Sequence, residues 1–196
     1  MIDIKINKDN DDVMYSNESI LKGILHNTYF DGGTGWFIGN GIRSEVVRAL
    51  GFSDHPTEKE CRSKMVSFTL EAYPSHRFTL HKDLVNEVQN IYKELKRLGV
   101  QLNQYQGHYF YRTINNPNMK KNTPILSMHS FGCAIDLNYN LNPFAKNSGP
   151  LTSGDDTIHG IMRTMNSPIV RTFAKYGWGW GGRYGDYMHF SKANGC

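Results

Sequence analysis

The sequence predicts an α+β fold, a small antiparallel sheet with helices packed on it, and three observations carry that expectation. Two stretches show helical apolar spacing with clear end signals. Three shorter stretches read as strands, and the five follow one another as helix, strand, strand, helix, strand. With 39% apolar and 12% aromatic residues among 196, the chain can bury a core of its own. That composition excludes a disordered, collagen-like or coiled-coil chain.

Residues 1–65 read as a helical N-terminal extension ahead of a main domain over 66–196. The extension opens with a polar stretch, Asn7 to Asp12, and has glycine clusters at Gly32-Gly33-Thr34-Gly35 and Gly39-Asn40-Gly41. These form neither G-x-G-x-x-G nor a P-loop, so turns are expected there rather than a phosphate cradle. Ile42, Val46, Val47 and Leu50 then recur at helical spacing, with Gly51 where a C-cap belongs. The clearest helix is predicted from about Lys82 to Leu98. Leu84, Val85, Val88, Ile91, Tyr92, Leu95 and Leu98 form its apolar stripe, and Gly99 ends it. Strands are expected over Gly107–Ile114 and Gly132–Asn138. A further helix has Ser167 as N-cap, Pro168 at its first position and Gly177 past its end, with Ile169, Val170, Phe173 and Tyr176 facing inward. The last strand region is Trp178–Phe190. Trp178 and Trp180 alternate onto one side of it, as core or cleft wall.

Several function classes drop out early. No apolar run approaches the roughly 18 residues of a membrane-spanning helix. The start, Met1 to Lys8, lacks an uninterrupted apolar region, so no secretory signal is expected and synthesis is cytoplasmic. Cys61, Cys133 and Cys196 are odd in number and widely spaced, and no C-x-x-C pair exists. Neither a disulfide framework nor a cysteine zinc site is expected. A net charge of +4 without a basic run gives no reason to expect a nucleic-acid partner.

Two of the eight histidines have unusual company. His129 lies in Ser127-Met128-His129-Ser130-Phe131-Gly132-Cys133-Ala134-Ile135-Asp136, and His189 in Gly185-Asp186-Tyr187-Met188-His189-Phe190. On a strand Asp136 points away from the face of Cys133, Ile135 and Leu137. Cys133 then reads as a small buried hydrophobe and Asp136 as a cleft residue. Two imidazoles and a carboxylate suit zinc, with a fourth position left for water. A second carboxylate could serve as general base, and Asp186 is the natural candidate. A regular strand would put Asp186 and His189 on opposite faces, so Tyr187-Met188 must turn if both are to reach a metal. Spacing of this kind, H-x6-D with D-x-x-H, also arises often by chance.

Read whole, the two segments resemble the signatures of the zinc D-alanyl-D-alanine carboxypeptidase and L-alanyl-D-glutamate endopeptidase family, the VanY-like peptidases and many phage endolysins. Ser127, His129, Gly132, Ala134 and Asp136 fill its pattern S-x-H-x-x-G-x-A-x-D. Asp186, His189 and Phe190 fill the acidic-x-x-His-Phe pattern, and Gly177-Trp178-Gly179-Trp180-Gly181-Gly182 resembles its G-W-x-W-G-G lead. Asn142-Pro143 is similar to the endopeptidase branch. The likeness covers about residues 75–191; residues 1–65 match nothing familiar.

The resemblance implies His129, Asp136 and His189 as zinc ligands at one face of the sheet, and 66–196 as the catalytic domain. It implies Asp186 as catalytic base and Arg112, within Tyr111-Arg112-Thr113, as the substrate-holding arginine. An aspartate rather than a glutamate at 186 favours an L-alanyl-D-glutamate endopeptidase of the endolysin type, acting on peptidoglycan stem peptides after holin-type release. A D-alanyl-D-alanine carboxypeptidase and a catalytically silent zinc- or muropeptide-binding or phage structural module are the alternatives. Residues 192–196 carry no recognisable wall-binding repeat, and none is expected. Wall attachment is therefore expected from residues 1–65, from the mild positive charge, or not at all.

Overall fold

The structure, a computed structural model, describes residues 4–7, 12–15, 43–53, 55–114, 125–145 and 154–193. It is α+β, as expected, built from short antiparallel sheets and four helices among those residues. No helix among them is long and apolar enough to cross a membrane. Cys196 and the glycine clusters before residue 42 lie outside the described residues.

The extension is not only helical. Strands β1 (Ile4–Asn7) and β2 (Asp12–Tyr15) pair antiparallel. Helix α1 (Arg43–Ala49) follows, and Gly51 behind it takes φ +75°, the left-handed geometry that only glycine adopts without strain. Helix α2 (Glu58–Ser63) starts where the Thr57 hydroxyl accepts the Glu60 N–H at 3.2 Å. Both helices feed the main core: Val46, Val47, Leu50 and Cys61 are buried in the same apolar cluster as the helices that follow.

A hairpin that no sequence signal announced comes next. Strand β3 (Met65–Leu70) pairs antiparallel with β4 (Tyr73–His81), the longest strand described. After a tight turn at Lys82–Leu84, helix α3 (Val85–Arg97) buries Val88, Ile91, Tyr92 and Leu95. Leu98, expected in that stripe, is exposed instead, because the helix has ended at Arg97 and the chain turns through Gly99 at φ +79°.

Gly107–Ile114, expected as a strand, forms none. It makes isolated bridges, Gly107 with Asp136 and Thr113 with Leu126, and single backbone bonds from Tyr109 N–H to the Thr79 carbonyl and from Phe110 N–H to the His129 carbonyl. Its backbone partners lie on different elements, so no ladder propagates.

Strand β5 (Ala134–Asp136) is much shorter than the expected Gly132–Asn138. Helix α4 (Pro168–Lys175) begins at Pro168 as expected, and Gly177 lies past its end at φ +75°. Ser167 stands at the cap position, but its side chain makes no capping bond. Strands β6 (Gly179–Trp180) and β7 (His189–Ser191) complete a three-stranded antiparallel sheet in the order β5-β7-β6. Trp178 and Trp180 are both buried, which makes them core.

Helices α3 and α4 pack on this sheet through aromatics. Phe173 stacks on Phe190 with centroids 3.8 Å apart, and Tyr92 meets Phe173 edge-on. Lys192, immediately after β7, is fully buried against Glu87 of α3 at 2.7 Å. Its ammonium also donates to the Tyr176 carbonyl, while Trp178 Nε1–H donates to the same Glu87 carboxylate. The pair anchors the strand that carries His189.

Candidate metal centre

His129 sits in a tight turn, Met128–Phe131, opened by the Ser127 hydroxyl, which accepts the His129 N–H at 3.3 Å. Gly132 closes the turn at φ +62°. A Cβ there would stand 2.5 Å from the His81 nitrogen and press on the Met65 sulfur, so glycine is required on two counts. The turn leads directly into β5, whose last residue is Asp136.

Asp136 is paired with His189 across β5 and β7. Strand pairing thus brings together two residues 53 positions apart in sequence. Gly107 lies behind them, its N–H donating to the Asp136 carbonyl at 2.8 Å and its carbonyl accepting the Asp136 N–H at 3.0 Å. A Cβ on Gly107 would fall 2.6 Å from Asp136 Oδ2. The close approach needs a residue without a side chain.

Three donor atoms converge. His129 Nε2 lies 3.2 Å from Asp136 Oδ1 and 3.2 Å from His189 Nδ1, and His189 Nδ1 lies 2.9 Å from Asp136 Oδ1. Among the described residues this is the one group able to hold a metal ion. Both histidines are buried and Asp136 is partly so. Burial alone would raise the Asp136 carboxyl, but attraction and hydrogen bonds from His129 and His189 outweigh it and hold it far below the usual range.

The residues fit a metal on two grounds. A tetrahedral ion with arms of about 2.05 Å spaces its donors about 3.3 Å apart, near the distances found. The second ground is protonation. His129 Nδ1 faces the His108 carbonyl at 2.8 Å, and a carbonyl only accepts, so Nδ1 carries the proton. With Nδ1–H committed to that carbonyl, Nε2 is the nitrogen left to offer its lone pair to a cation beside the Asp136 carboxylate.

Asp186 stands at the other end of a turn from His189. Its carbonyl accepts the His189 N–H at 3.2 Å across Tyr187-Met188, the turn that the spacing demanded. Burial raises the Asp186 carboxyl above its ordinary range; the charge of Asp136 adds to this, while His189, His129 and Arg112 oppose it. Asp186 Oδ1 is buried with no hydrogen-bond partner among the described residues. A half-buried carboxylate with an unused oxygen beside a cluster of donors can take up a proton.

Arg112 is exposed at the rim. Its backbone is fixed, the N–H donating to Ser130 Oγ at 2.9 Å and the carbonyl accepting the Ser127 N–H at 2.8 Å, and its charge reaches Asp186. Cys133 is buried on the core side, clear of the donor cluster. Asn142 is buried too, its carboxamide bonded to the carbonyls of Leu137 and Gly160 and to the Met162 N–H, which is a structural role. Sequence reasoning missed the His108 carbonyl, since a main-chain acceptor leaves no mark on residue type. Gly107 was a visible signal left unread.

Residues 120–192 match the family model described as D-alanyl-D-alanine carboxypeptidase, which agrees with the resemblance of the His129–Asp136 and Asp186–Phe190 motifs. No curated protein and no solved structure matches the chain.

Proposed function

We propose that the chain, carrying this family's pattern over residues 120–192, is a zinc-dependent peptidase of peptidoglycan stem peptides, acting as an L-alanyl-D-glutamate endopeptidase of the endolysin type. One observation carries the reading. His129, Asp136 and His189 aim their donors at a common point, and Asp186, half-buried with one buried carboxylate oxygen that has no hydrogen-bond partner among the described residues, stands one turn away. A catalytically silent module would have no use for that carboxylate.

Zinc held by the three side chains would polarise the scissile carbonyl and ease proton loss from water. The chain's own residues do the rest. The His108 carbonyl fixes the tautomer of His129. Asp186 accepts the proton of the attacking water and returns it to the departing amine, so that the C–N bond breaks as a neutral amine leaves. Arg112 offsets the charge that develops on the carbonyl oxygen. Aspartate at 186 supports the endopeptidase branch. The carboxypeptidase description of the matching family supports a second reading, removal of terminal D-alanine by the same machinery.

Mass spectrometry of fragments released from purified peptidoglycan, with and without chelator, tests both. New amino-terminal D-Glu or iso-Gln that vanishes with chelator is the expected product. Free D-alanine would establish the second reading, and no product from several wall types would overturn both.

A further inference from the structure

A groove of about 370 Å³ lies apart from the metal ligands, between β4 and the segment leading to Gly107. Arg77, Phe78, Gln104, Gln106 and His108 are among the residues that line it. No carboxylate lines it. It therefore offers the Arg77 cation and the Gln104 carboxamide, the chemistry that recognises carboxylates and peptide amides.

The groove shares a wall with the metal centre. Gln106 and His108 flank Gly107, whose backbone is hydrogen-bonded to Asp136 in both directions, and the His108 carbonyl holds His129. Gln106 is locked by its bonds to Asn138 and the Asn103 carbonyl, so this side is rigid. Arg77 and Gln104 are exposed and available to a ligand. His108 Nδ1 is buried without a hydrogen-bond partner among the described residues, although its ring rests on Phe78 at 5.5 Å.

We propose that this groove is a second binding site, for a carboxylate-bearing stretch of peptide, which holds substrate beside the metal centre without entering the chemistry. The identity of the ligand as a stem peptide rests on the peptidase reading; the site itself does not. Arg77 carries the recognition, Gln104 assists, and the site acts on KM rather than kcat.

The test compares wild type with Arg77→Ala, Arg77→Lys and Gln104→Ala on two substrates. One is a stem peptide with free carboxylates; the other is its fully amidated counterpart. Arg77→Ala should raise KM for the carboxylate peptide about fivefold to tenfold and leave kcat and both constants for the amidated peptide unchanged. Arg77→Lys should restore part of the loss. An equal rise on both substrates, or none on either, overturns the proposal.

Binding without turnover separates this from the peptidase reading. The carboxylate peptide is titrated into metal-loaded Asp186→Asn protein while amide NMR shifts are followed. Shifts at residues 75–78 and 104–108 that vanish with Arg77→Ala uphold the groove even if wild type cleaves nothing. Their absence sinks the groove even if cleavage is robust.

Discussion

Replacing Gly107 by alanine tests the link between backbone packing and the metal. No positive φ constrains Gly107, so alanine suits its backbone and the effect comes from the added methyl alone. That methyl would lie 2.6 Å from Asp136 Oδ2 and 2.7 Å from Asp136 Cβ, against 3.4 Å for ordinary contact, a shortfall of about 0.8 Å. The clash with Cβ prevents relief by side-chain rotation, so Asp136 must shift bodily. Metal–ligand distances tolerate only about ±0.2 Å. Affinity should fall at least as far as when an orienting partner is lost, about 10- to 100-fold. At free metal 1,000 times the parent Kd, binding stabilises the fold by about 4.1 kcal/mol, and a hundredfold weaker site by about 1.4. The metal-dependent rise in Tm should therefore shrink by roughly 5–10 °C for a chain of this size. Overpacking should cost the metal-free protein a further 1–3 kcal/mol or so. Calorimetry of both forms with and without zinc reads the two effects separately. An alanine variant that keeps the full metal-dependent rise would refute the reasoning.

Other expectations follow from the same geometry. Asp186→Asn should abolish turnover, by about 100-fold or more, yet keep the metal, whereas His129→Ala or His189→Ala should lose both; metal analysis of purified variants decides. Lys192→Met should destabilise the fold by about 3–5 kcal/mol by stranding Glu87, and adding Glu87→Gln should recover much of it; a double-mutant cycle in urea measures the coupling. Asp186 also gives the metal-free protein a pH signature. Its carboxyl is raised by burial, so the folded chain holds this proton more tightly than the unfolded one, and stability falls as pH climbs from about 3.8 through the raised value. Thermal melts from pH 4 to 7 should show that fall in wild type and a smaller one in Asp186→Asn.

The convergence of His129, Asp136 and His189 was legible in the sequence to a degree the scaffold was not. Ligand types and spacing survive in sequence because the chemistry admits few substitutes. Even the turn at Tyr187-Met188 could be deduced, since a period of two cannot put residues three apart on one face. The β3–β4 hairpin escaped notice for the opposite reason. Its turn, Glu71-Ala72, has no glycine or asparagine to mark it, and both strands have mixed burial rather than strict alternation. Gly107–Ile114 misled in the other direction. Its residues favour a strand, but its backbone bonds are divided among β4, β5, Ile125, Ser127 and His129. The groove beside Arg77 was beyond sequence, because two segments nearly thirty residues apart in the chain form it only after folding.

The rung that joins Asp136 to His189 has a consequence for error correction during folding. Two paired three-residue strands make few ladder bonds, so their alignment is set mainly by which side chains face the core and which the donor cluster. Here a slip by one position would swing Ile135 or Phe190 to where a ligand should be and carry the imidazole to the far face. A misaligned chain could not close its donor cluster around an ion, so the ion would select the correct alignment as it binds. On this view the metal proofreads the sheet, and a chain matured without it should contain a larger share of misregistered molecules that addition of zinc alone is slow to rescue.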